Sequence, residues 1–86
     1  MTAAGVGPSP MRAVVEVVAK ALVDRPEEVD VTESLRRGTT VVELYTAPGD
    51  MGKIIGRQGR TAAALRTLVT LAAEKAGVRA QLDIRD

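Results

Sequence analysis

Eighty-six residues with no cysteine and no histidine make one small domain, and that composition excludes disulfides, thiolate or imidazole metal sites and the commonest general base. The net charge of +1 conceals an asymmetry: residues 1–50 carry five cations and eight acids (−3), residues 51–86 seven cations and three acids (+4). Between Asp50 and Glu74 stand four cations and no acid, a local field that favours a polyanion.

In chain order, the small and aperiodic residues 1–8 read as a flexible tail, so the ordered domain is expected over 9–86. Ser9 suits an N-cap and Pro10 the first helical position, where a missing N–H costs nothing. The helix is expected to run to about Asp24, burying Met11, Val14, Val15, Val18, Leu22 and Val23, and to end before Arg25-Pro26. Its most apolar part, Ala13 to Val23, is interrupted by Glu16 and Lys20 and is too short to span a bilayer. With no signal peptide ahead of it, a cytoplasmic location without membrane partners is expected.

Two strands follow. EVDVTESLR alternates loosely through Val29 and Val31 with Leu35 further on, and TTVVELYT is apolar on both faces near Val41 and Val42; Arg37-Gly38 between them reads as a hairpin turn. APGD breaks the second strand, and MGKIIG supplies one or two turns of helix. A longer helix from Arg60 to about Ala76 is expected to turn Leu65, Leu68, Val69, Leu71 and Ala72 inward, with Gly77 as a left-handed C-cap. In the closing VRAQLDIR, Val78, Ala80, Leu82 and Ile84 alternate with polar residues, the pattern of a half-buried strand. A strand, two helices and another strand imply a right-handed crossover, hence an α+β two-layer sandwich with helices on one face of the sheet.

The stretch GKIIGRQGRT, residues 52–61, carries the chemistry. Glycine at both ends of Gly56-Arg57-Gln58-Gly59 permits positive φ and lets a ligand's backbone approach without a Cβ in the way. The amides opening the next helix at Arg60, Thr61 and Ala62 are expected to point outward with the positive end of the dipole, and Lys53, Arg57 and Arg60 add full charges with no acid near them in sequence. Phosphate is the natural guest, with Arg66 and Arg79 as secondary candidates. The plainer alternative is that Gly56 merely caps one helix and Gly59 turns into the next. A P-loop is excluded, because Ala47 and Ile54 stand where it needs glycine and a hydroxyl, and no G-x-G-x-x-G follows a strand. Tyr45 is the only aromatic residue, which excludes a stacking platform for bases.

After a strand and a short helix, IIGRQG resembles the I-G-x-x-G signature of the KH domain, whose loop clamps about four backbone nucleotides. The order, with a helix and a strand ahead of the motif, resembles the type II arrangement. More narrowly, GKIIGRQGRTAAALRTLV followed by LDI is similar to the KhpA family of small bacterial single-KH RNA-binding proteins, over about residues 9–85. The resemblance implies a type II KH domain of α-β-β-α-α-β order with a three-stranded mixed sheet, no catalysis and no cofactor. It places the loop glycines at Gly56 and Gly59, the variable pair at Arg57 and Gln58, and at Ile55 the support of a groove in which bases lie. One departure is Ala62, where many KH domains carry a large aliphatic; a shallower groove wall is expected there. The resemblance also implies single-stranded RNA as ligand, a homodimer, a heteromer with a larger Jag/EloR (KhpB)-type RNA-binding protein, and work as an RNA chaperone in post-transcriptional regulation and in cell-envelope or cell-shape control. The Ala-rich long helix offers the dimer a closely approachable surface, unless all its apolar residues face the sheet. The rivals are a KH-like ribosome-assembly factor, which would lack an intact G-x-x-G loop, and a protein-interaction module; an enzyme fits least, for want of His, Cys or paired carboxylates.

Overall fold

Ser9 caps as its position predicts. In the computed structural model, which describes residues 9–85, its hydroxyl oxygen accepts from the Arg12 amide at 3.2 Å and donates to Glu33 of the first strand. The tail expected over 1–8 lies outside the described residues. Helix α1 spans Pro10–Leu22, two residues less than expected, because Val23 turns to extended backbone (φ −88°, ψ 162°). That turn brings Val23 into the core and leaves Leu22, expected inside, exposed. The buried stripe is Met11, Val15 and Ala19, at intervals of four, with Val14 and Val18 only half-buried.

A short 3₁₀ turn at Pro26–Glu28, absent from the sequence reading, leads into strand β1 (Asp30–Arg36). Strand β1 pairs antiparallel with β2 (Thr39–Tyr45) through the Arg37-Gly38 turn, where both residues have positive φ (51° and 79°), as a two-residue hairpin in a twisted sheet requires. Helix α2 (Met51–Ile55), a 3₁₀ turn (Arg57–Gly59) and helix α3 (Arg60–Ala76) cross over to β3 (Arg79–Arg85), which pairs parallel with β2. The result is the expected α-β-β-α-α-β order with a mixed sheet in the order β1-β2-β3. Gly77 ends α3 in the left-handed region (φ 75°) as anticipated.

Register separates the sheet's two faces. Val31 opposite Leu44, and Val42 opposite Leu82, point at the helices and form one apolar cluster with Ile54, Leu65 and Val69. The other face is mostly polar, with Thr32 donating to Glu43 at 3.3 Å and Glu43 pairing with Arg85 at 3.2 Å. Val41 in the central strand nevertheless lies there 3% exposed, so β2 is apolar on both faces at Val41 and Val42 as expected. A two-layer sandwich leaves that face to solvent apart from the side chains that cover its centre. On α3 the buried stripe is Ala62, Leu65, Val69 and Ala73. This corrects the expected inner face: Leu68 and Leu71 are 42% and 56% exposed. At ~100° per residue Leu71 falls almost opposite the stripe's centre and Leu68 on its flank.

Candidate nucleic-acid interface

The loop is built outward from a buried carboxylate. Asp50, 4% exposed, accepts the Arg25 amide at 3.1 Å, and its carbonyl accepts the Lys53 amide at 3.0 Å, which starts α2. Ile54 anchors that helix in the core with no exposed surface, while Ile55 is half-buried and stands outside the core cluster. A side chain in that state is available to a ligand lying on the loop.

Gly56 closes α2 by donating to the Gly52 carbonyl at 2.9 Å, with φ 76° and ψ 172°, a conformation that is essentially glycine's own. A methyl group there would stand 2.6 Å from the Thr61 Cβ and 3.0 Å from its amide nitrogen. The plainer reading of Gly56 as a cap is therefore correct as far as it goes, and the close fold-back onto α3 requires glycine a second time. Gly59 differs. It sits in the left-handed region (φ 74°, ψ 11°), and a Cβ there would meet nothing within 4 Å. Between them Gln58 also has positive φ (57°), so the loop backbone turns left-handed at three of its four residues. No side chain caps the start of α3 and no acid occupies its first turn. One expectation needs correction: the Arg60 amide is already used, donating to the Arg57 carbonyl.

The three loop cations are in three different states. Arg57 is exposed and makes no ion pair or side-chain hydrogen bond among the described residues. Arg60 donates from Nη2 to the Gln58 Oε1 at 3.1 Å, so the variable pair of the loop is half engaged. Lys53 is paired: its Nζ lies 3.3 Å from Asp24 Oδ2. The expectation that no acid would be near holds in sequence and fails in space, because the end of α1 folds against α2.

Beyond the loop, α3 and the free edge of β3 flank a cleft of about 220 Å³ lined by Arg66, Val69, Thr70, Ala80, Gln81 and Leu82. Ala80 makes it possible, since a small residue at an inward position of an edge strand leaves room that a valine would fill. Arg66 thus stands at the cleft, whereas Thr70 and Gln81 carry no sequence signal beyond their register. A second opening, wholly apolar and about 430 Å³, lies between α1 and α3 among Ala13, Val14, Val17, Val18 and Leu68. Among the described residues no cluster of acids could hold a metal, and no helix is long and apolar enough to cross a membrane.

Over most of its length the chain is similar to known proteins. The family model described as KhpA/KhpB, KH domain, matches residues 12–84. The RNA-binding protein KhpA of Clostridium perfringens is 47% identical over 74 residues, covering 86% of this chain and 99% of that protein. Its namesake from Halalkalibacterium halodurans is 50% identical over 76 residues, covering 88% and 100%, and that of Aquifex aeolicus 46% over 76, covering 88% and 96%.

Proposed function

This chain belongs to the KhpA/KhpB KH-domain family, and on that premise we propose that it is a non-catalytic module that binds single-stranded RNA by gripping its backbone at Gly56–Gly59. The observation that carries the reading is the asymmetry of the two glycines. Gly56 is needed by the fold, but Gly59 is left-handed with open space above it, beside an uncapped helix start and the unpaired Arg57. Such a surface offers a phosphate backbone room, positive charge and no competing acid in the loop itself. Ile55 supplies the aliphatic support for a base, and the cleft along β3 continues the path.

A clamp of about four nucleotides held mostly by phosphates binds weakly and transiently, which suits an RNA chaperone and makes two copies useful. The apolar opening between α1 and α3 supports a homodimer. Val17 and Leu68 expose large aliphatics there, at 69% and 42%, and Leu71, one turn further along α3, is 56% exposed. Because one family model spans KhpA and KhpB, a KhpB-type protein carries a related domain and could take the second copy's place. A setting in post-transcriptional regulation and cell-shape control is part of the proposal through the family resemblance alone, and no side chain of this chain points to it.

The test is the double variant Arg57→Asp with Gln58→Asp. Both positions are exposed, so circular dichroism should be unchanged while gel-shift titration with a single-stranded RNA shows binding abolished. Full affinity in the folded variant would remove the loop clamp.

A further inference from the structure

The acid that the structure brings to the loop has no part in the clamp as described. Asp24 stands just past α1, where the chain has turned extended at Val23. Its neighbour Arg25 is fixed by the main chain: the Arg25 amide donates to the buried Asp50 carboxylate at 3.1 Å, at the start of the helix that carries Lys53. The Asp24 carboxylate is therefore delivered to Lys53 by a contact other than the ion pair, and the pair forms with little extra ordering. Asp24 is itself 74% exposed and Lys53 44%, so solvent reaches both and the pair can open.

We propose that Asp24 sets RNA affinity by acting as an internal rival of phosphate for Lys53, an inference that rests on the reading of Gly56–Gly59 as a backbone clamp. In the free protein Asp24 holds the ammonium of Lys53, which stands three residues ahead of Gly56. A phosphate that takes Lys53 must exchange one anion for another, whereas Arg57 engages without giving anything up. The same carboxylate also subtracts one unit from the positive field at the loop. Both effects weaken capture of polyanions by charge alone, and leave more of the discrimination to the fit of backbone and base against Gly59 and Ile55.

The test compares wild type, Asp24→Asn, Lys53→Gln and the double variant, by fluorescence anisotropy with a short fluorescein-labelled oligouridine in about 50 mM and about 200 mM salt. Asp24→Asn should tighten binding by roughly three- to fivefold at the lower salt, the scale of one exposed ion pair, and by less at the higher. Lys53→Gln should cost little in the wild-type background and roughly fivefold in the Asp24→Asn background, because only there is the lysine free to act. Equal affinity of wild type and Asp24→Asn overturns the inference and leaves the clamp standing. So does an equal gain from Asp24→Asn with and without Lys53, which would make Asp24 a general repellent rather than a rival. Absence of binding in all four proteins removes the clamp itself and this inference with it.

Discussion

Helix α3 carries two exposed regions that ask for opposite partners. At its start, the turn from Gly56 to Arg60 presents left-handed backbone, cations and no acid. On its flank, Leu68 joins Val14, Val17 and Val18 of α1 in an apolar opening with no charged residue in its lining, and the exposed Leu71 lies one turn further along. The first surface suits a solvated polyanion, is sensitive to salt and can be specified by four residues. The second suits a desolvated protein surface, is indifferent to salt and needs several residues spread over two helices. On the proposed reading, one helix joins two copies along its side and holds RNA at its end without either task consuming the other's residues.

The strongest way to break that separation is to charge the flank. Replacing Val17 and Leu71 together by Asp sets carboxylates against their symmetry mates across a two-fold interface, a juxtaposition that costs several kcal/mol. Self-association should weaken by about a hundredfold or more. Sedimentation equilibrium at micromolar concentration should then give the single-chain mass of 9.0 kDa, where the wild type gives twice that. The folded variant should retain the loop, so binding of one labelled RNA per domain at high protein concentration should persist. A wild-type mass near 9.0 kDa under the same conditions would dispose of the dimer altogether.

Within the loop the comparison narrows to two glycines with nearly the same φ. Gly56→Ala must place a methyl 2.6 Å from the Thr61 Cβ in a backbone region that excludes side chains, which should cost about 2–4 kcal/mol in urea unfolding. Gly59→Ala meets no atom and bears only the left-handed penalty, about 1–2 kcal/mol. The order reverses in function relative to stability: Gly59→Ala should remain folded yet bind RNA several-fold more weakly, because its methyl occupies the space a ligand backbone needs. Equal destabilisation by the two substitutions would contradict the assignment of Gly56 to the fold and Gly59 to the ligand.

Which of these features the sequence displays follows from how local each one is. The loop is legible because glycine spacing, the caps at Ser9 and Gly77, and the Arg37-Gly38 turn are decided within a few residues. The alternation of β3 and the element order likewise depend on short-range pattern. The inward face of α3 is not, since four leucine and valine positions at helical spacing fit more than one stripe, and only the sheet's register selects Ala62, Leu65, Val69 and Ala73. Small alanines carry half of that contact, and hydrophobicity alone ranks them below the leucines that end up outside. The Asp24–Lys53 pair was out of reach for a different reason: it joins residues 29 apart in sequence through a bend that Val23 alone gives no sign of. Acid-free in sequence is a weaker statement than acid-free in space.

The smallest expected effect tests the two regions at once through salt. At about −0.7 per phosphate neutralised on a single strand, Arg57, Arg60 and Arg66 give a slope of log K against log salt of about −2 for RNA binding, approaching −3 only where phosphate also takes Lys53 from Asp24. Arg57→Gln removes the one loop cation with no partner among the described residues, so it should lower the magnitude of that slope by about 0.7. Self-association through the opening at Val17 and Leu68 buries apolar surface and should change little over the same range, since screening acts on charges and its lining has none. Parallel titrations of anisotropy and of sedimentation mass therefore separate the regions without a mutation. A flat RNA slope would mean that the grip lies in apolar and base contacts along the β3 cleft, and a steep dimer slope would mean that the copies meet through charged residues elsewhere.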